Sequence, residues 1–146
     1  MVISGFLLFK WKQDAPRRNS LTALQNLRAA LTSNDSGSLL NSIALPQALQ
    51  SRTAPEQVEF LRKALQDEIS DEGVAALKSR GKFGPLNQVF PKEGEIWARQ
   101  AGLKPEDCLA FKMERTGIRA EVVLVHEGQS YRVVRCNNVK QMAAGA

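Results

Sequence analysis

His126 is the only histidine of the chain, and in VHEGQSY it stands beside Glu127 and five residues before Tyr131, the only tyrosine. An imidazole next to a carboxylate can serve as a general base, and a phenol can orient a substrate. These two residues are therefore the candidates for an enzyme working at the mouth of an apolar pocket. The competing reading is an exposed histidine at a hairpin tip, and it is favoured because His126 has the parity of the core face but lies beyond the packed layer.

The other chemistry-bearing groups are weaker. Cys108 and Cys136 with one histidine cannot complete a tetrahedral zinc site, so no metal and no cofactor are expected. The acid pairs Asp67-Glu68, Asp71-Glu72, Glu93/Glu95 and Glu106-Asp107 fall in helix first turns, helix flanks or a loop. Carboxylates there are stabilised by the helix dipole or simply solvated. Gly81 and Gly84 suggest a phosphate loop, but no strand precedes them and no helix opens directly after. Arg119, Arg132 and Arg135 with Tyr131 would suit single-stranded nucleic acid if they shared a face. Strand alternation separates Arg119 and Arg132 from Tyr131 and Arg135, so nucleic acid is the least favoured partner.

The formal charge of +5 does not change that. Lys10, Lys12, Arg17 and Arg18 against Asp14 place three of those charges in the first eighteen residues, and a basic tail serves a membrane surface as well as phosphates. With 146 residues and 43% hydrophobic composition, the chain has enough apolar material for one core without disulfides.

Positioning falls to a three-stranded antiparallel meander over residues 107–138. Its segments CLAFKMER, IRAEVVLVH and SYRVVRCN are divided by Gly117 and Gly128. Two-residue turns at Thr116-Gly117 and Glu127-Gly128 set Phe111 opposite Val122, Leu109 opposite Leu124, Leu124 opposite Tyr131 and Val122 opposite Val133. One face then carries Leu109, Phe111, Met113, Ala120, Val122, Leu124, Tyr131 and Val133 as a core layer. The same register opposes Lys112 to Glu121 and Glu114 to Arg119, pairs of a kind that stabilise a sheet. Cys108 and Cys136 take the second face, roughly 20 Å apart at about 3.3 Å per residue, and are expected to be free thiols. Val123, Val125, Arg132 and Val134 make that face half apolar, so part of it is expected to be covered by the chain itself or to serve as a contact for a protein partner or a second copy.

The first nineteen residues form an apolar and basic leading segment. VISGFLLF, with Phe6, Leu7, Leu8 and Phe9, runs into Lys10, Trp11 and Lys12. Eight apolar residues cannot span a bilayer, which needs about 20. Three readings stay open: the end of a membrane anchor, a segment packed on the domain, or an interfacial anchor with Trp11 at the headgroups. The expected location is membrane-associated, on an undetermined side, with a soluble cytoplasmic protein as the alternative.

Pro16 reads as a linker and Ser20 as the N-cap of a first helix carrying Leu21, Leu24, Leu27 and Leu31 to the Asn34–Gly37 turn. A short helix follows to Leu45. Thr53-Ala54-Pro55-Glu56 opens a helix continuing through Val58, Leu61, Leu65 and Ile69, with Arg62 and Gln66 facing water. Residues 71–80 form another, with Val74 and Leu77 inward, stopped by Gly81. Leu86, Val89 and Phe90 anchor an edge segment, and Glu93–Ala101 is a short helix placing Ile96 and Trp97 on the sheet. The expected fold is α+β, with N-terminal helices packed on a C-terminal antiparallel meander of three to four strands. The single domain covers residues 20–140, and 141–146 are a tail.

LTALQNLRAALTSNDSGSLLNSIAL, residues 21–45, resembles the opening of NTF2-like (cystatin-like) domains, an amphipathic helix, a polar break such as SNDSG and a short helix. The terminal meander ending in SYRVVRCN is similar to the rest of that fold, although 83–90 supplies at most one of the strands that longer members carry there. The resemblance implies a curved sheet wrapping the helices, often around an apolar pocket, and the family holds both enzymes and binding modules. The functional expectation is a non-catalytic, membrane-associated binding module acting through its sheet.

Overall fold

The computed structural model describes residues 2–115, 118–128 and 130–141, with side chains described for 15–79, 81–114, 119–128 and 130–139. The chain is α+β, as its patterning predicts. Helices α1 (Val2–Ser33), α2 (Ser36–Ser42), α3 (Gln47–Gln50), α4 (Ala54–Leu65) and α5 (Asp71–Arg80) come first. Strand β1 (Lys82–Pro85), helices α6 (Leu86–Val89) and α7 (Gly94–Gln100), and strands β2 (Cys108–Arg115), β3 (Ile118–Glu127) and β4 (Ser130–Gln141) complete it. The sheet is antiparallel throughout, in the order β1-β2-β3-β4.

Local signals produce several of these elements. Thr53 caps α4 by accepting from the Glu56 N–H, and Leu61 and Leu65 bury one side of the helix. Ser70 caps α5 in the same way through Gly73, and Val74 and Leu77 point inward. The expected β2–β3 register is observed, with Phe111 opposite Val122 and Lys112 opposite Glu121.

Four expectations are corrected. Pro16 is not a linker: α1 runs through it as one helix, so Ser20 lies inside the helix rather than at its cap. Proline removes one ladder bond and costs a helix interior about 3 kcal/mol. Tertiary bonds offset that cost, because the Arg17 guanidinium donates from Nη2 to the carbonyls of Leu77, Lys78 and Gly81 and lies 6.0 Å from the Phe111 ring centre. Second, α4 stops at Leu65, and Ile69 instead bridges Val139 of β4, whose strand continues to Gln141 rather than fading after Asn138. Third, Arg62 does not face water but donates to the Leu31 carbonyl at the end of α1.

The fourth correction concerns the second hairpin. Glu127 pairs with Ser130 and Leu124 with Val133, so the turn is centred one residue later than expected. Between Leu124 and Val123 the register then shifts, setting Val123 opposite Arg135 and Val122 opposite Cys136. A bulge inserts one extra residue, here Val134, and exchanges the faces of the residues that follow, Arg135 and Cys136. Cys136 therefore turns toward the helices while Cys108 stays on the far side. Both are free thiols, as expected, but on opposite faces of the sheet.

The apolar part of each face is covered by the chain itself. The inner face, with Phe111, Met113, Ala120, Val122, Leu124 and Val133, packs under Leu21, Leu24 and Leu27 of α1, Leu39 of α2, Leu61 of α4 and Leu77 of α5. The outer face, with Cys108, Ala110, Val123 and Val125, packs under Leu86, Val89, Phe90 and Ala98. Gly94 lets α7 come this close, since a Cβ there would meet Leu86 Cγ at 2.8 Å.

Candidate functional site

Helix α1 shows two stripes. Leu21, Leu24 and Leu27 turn into the core, while Asn19, Thr22, Asn26 and Ser33 form an exposed polar edge over Ala23 and Ala30. At its end Asn34 adopts φ +61, and Asp35 caps α2 by accepting from the Ser38 N–H at 3.1 Å and the Ser38 hydroxyl at 2.7 Å. Those hydrogen bonds hold the Asp35 carboxyl below its ordinary range. The two-residue connection folds α2 back along α1 and leaves a seam between them.

That seam is a groove of about 660 Å³. Asn19, Thr22, Asn26 and Ser33 line it from α1, Ser38, Asn41 and Ser42 from α2, and Ser130 and Tyr131 from β4. No lining residue carries a charge at neutral pH; burial pushes the Tyr131 hydroxyl up, so it too stays protonated. Thr22, Ser38 and Ser42 hydroxyls are engaged by Arg18, Asp35 and Ser38 respectively. No described residue hydrogen-bonds the side-chain amides of Asn19, Asn26 or Asn41, so the groove presents uncommitted donors and acceptors. Sequence reasoning passed over these residues. The available signal was Asn19 and Asn26, poor helix formers seven positions apart on one helix.

His126 and Tyr131 are cross-strand partners, and their rings stack at 4.5 Å between centroids with 13° between planes. His126 is exposed, and Tyr131 is half-buried against the helical core. The hollow beside them is this polar groove rather than an apolar pocket. Glu127 turns to Arg132, at 3.8 Å.

The residues read as a binding face are placed otherwise. Val123 is 0% and Val125 2% exposed, both sealed beneath α6 and α7, and half-buried Val134 packs on the same cluster. Arg132 remains partly exposed at the strand edge. Arg135 joins Arg119 and Arg132 on the outer face instead of standing with Tyr131, because the bulge at Val134 exchanges its side. It lies 4.4 Å over the Trp97 ring, and Glu121 pairs with both Arg135 and Arg119, at 3.7 and 3.5 Å. The opposed Lys112 does not meet Glu121 but sits 5.6 Å from the Phe90 ring centre. Ile96, expected on the sheet, is 57% exposed.

Both thiols are poor nucleophiles. Burial, with the neighbouring Asp107 and Glu106, pushes Cys108 up to about 11, and burial with nearby Glu68 pushes Cys136 up to about 12. Among the described residues no group of three His, Cys, Asp or Glu could hold a metal ion. The Gly81–Gly84 stretch is no phosphate cradle, since β1 pairs with β2 along it. Phe6, Leu7, Leu8, Phe9, Lys10, Trp11 and Lys12 lie in α1, and their side chains fall outside the described ones. No described helix is long and apolar enough to cross a membrane. No protein-family model, curated protein or solved structure matches this chain.

Proposed function

We propose that this chain is a non-catalytic binding module, brought to a membrane surface by the leading segment of α1, that takes its ligand in the groove between α1 and α2. The observation that carries the reading is the continuity of α1. One helix of 32 residues, about 48 Å long at 1.5 Å per residue, joins the apolar run 2–9 to the wall of an uncharged hollow of about 660 Å³. The sheet is a poor contact surface by comparison, since both its apolar faces are occupied. A non-catalytic role is supported by the two protonated thiols and by a histidine stacked at an exposed tip. Kinship with NTF2-like domains belongs to the same proposal and rests on element order, helices first and antiparallel meander last.

The test is flotation with vesicles of phosphatidylcholine and phosphatidylglycerol. The full chain is expected to float at low salt and to be released by salt, because each basic residue near an anionic surface contributes about 1 kcal/mol. A Phe6→Ser/Leu7→Ser/Phe9→Ser variant is expected to stay in the soluble fraction with unchanged circular dichroism. Equal flotation of both proteins, or none by the full chain, would remove the membrane part of the proposal. Point substitutions are needed because deleting residues 1–18 would also remove Arg17 and its bonds to α5.

A further inference from the structure

We infer that the α1–α2 groove is a subsite for a neutral saccharide, an inference that rests on the groove being the binding face. Four observations converge on hydroxyl-rich, uncharged chemistry.

The lining has no formal charge in a chain of which 24% of residues are charged, so an ionic ligand would leave water without a counter-charge. Next come the amides. Each asparagine offers two donors and a two-lone-pair acceptor, the set that pairs with adjacent hydroxyls that both donate and accept. Asn19 and Asn26 stand seven residues apart on α1, about 10.5 Å along the axis, with Asn41 facing them from α2. This is a repeat of hydrogen-bonding sites along a groove, not a single point.

The floor decides between a sugar and a peptide. Its apolar part is the methyl groups of Ala23, Ala29 and Ala30, with none of the large apolar side chains that anchor a peptide. A peptide would offer the groove only its backbone, whereas a sugar fills a shallow trough with hydroxyls on its edge. Finally, Tyr131 lines the groove and its stacking on His126 fixes the ring, an amphipathic group suited to the C–H and hydroxyl groups of a sugar. The volume of about 660 Å³ falls within the roughly 300–1,000 Å³ of small-molecule sites.

The experiment is a ¹⁵N nuclear magnetic resonance titration of the full chain with maltotriose, cellotriose and tri-N-acetylchitotriose. Glucuronate and a blocked Ala-Ser peptide serve as comparison ligands. At least one neutral trisaccharide is expected to shift the side-chain amides of Asn19, Asn26 and Asn41 saturably. Asn26→Leu and Tyr131→Leu are each expected to weaken that binding about tenfold, the loss of one well-made contact. Gln25→Leu, on an exposed α1 position outside the groove, is expected to leave it unchanged. Groove shifts with the peptide or glucuronate but not with the sugars would overturn the saccharide inference and keep the groove as a binding face. Shifts with none of the probes, or sugar shifts untouched by Asn26→Leu, would overturn both.

Discussion

Arg17 closes the C-terminus of α5 from another helix: its Nη2 lies 3.0 Å from the Gly81 carbonyl oxygen and within 3.2 Å of those of Leu77 and Lys78. The carbonyls at a helix C-terminus carry partial negative charge, and although that of Leu77 already accepts from the Gly81 N–H, one guanidinium bonds and neutralises all three together. Arg17→Ala is expected to destabilise the domain by about 2 kcal/mol, and Arg17→Lys to recover part of that. Urea unfolding followed by circular dichroism measures both. An unchanged midpoint would mean that this contact does not hold α1 to the domain.

Ser20 separates two accounts of α1 by sign. As an N-cap, its replacement by alanine would cost about 1 kcal/mol. Inside the helix it is fully buried, and its hydroxyl has no hydrogen-bond partner among the described residues. Removing an orphan hydroxyl and installing a better helix former is expected to stabilise instead, by about 1 kcal/mol. The urea midpoint of Ser20→Ala should therefore rise.

Val123 tests whether the outer face is closed. On an open sheet surface a substitution would shift stability by less than about 0.5 kcal/mol. Beneath α6 and α7, Val123→Ala is expected to cost about 2 kcal/mol and Val123→Asp about 3 kcal/mol or more. Thermal or urea unfolding distinguishes these outcomes.

What could be read in advance was what is local. Thr53 with Glu56 announces α4 within four residues, and the β2–β3 register follows from a two-residue connection between Arg115 and Ile118. The second hairpin was ambiguous because Gly128 can belong to either of two overlapping turns. Nothing in SYRVVRCN distinguishes a straight strand from one bulged at Val134. That the half-apolar face needs a cover was legible in Val123, Val125 and Val134, but whether the chain or a partner supplies it was not, since that depends on where 86–103 travels after β1. Pro16 misled because Arg17's partners lie about sixty residues away. The groove was half legible: Asn19 and Asn26 were in view, but Asn41 and Tyr131 reach them only through the fold.

Alkaline stability should carry the mark of the two thiols. In the unfolded chain a cysteine loses its proton near 9, but the folded protein keeps Cys108 protonated to about 11 and Cys136 to about 12. The folded state then binds more protons, so this contribution is complete below pH 9 and falls as pH rises toward 11–12. A Cys108→Ala/Cys136→Ala variant is expected to lose stability less steeply between pH 8 and pH 10.5, measured by urea midpoints across that range.

The proposed account depends on a sheet whose apolar surface is covered on both faces by its own chain, with binding assigned to the helical groove. Thiol labelling with 5,5′-dithiobis(2-nitrobenzoate) under native conditions reads both faces at once, Cys136 reporting the inner and Cys108 the outer. Neither thiol is expected to react until urea reaches the unfolding transition, where both should label together. Rapid native labelling of Cys136 would contradict the bulged register, and rapid labelling of Cys108 would reopen the outer face as a surface for a partner.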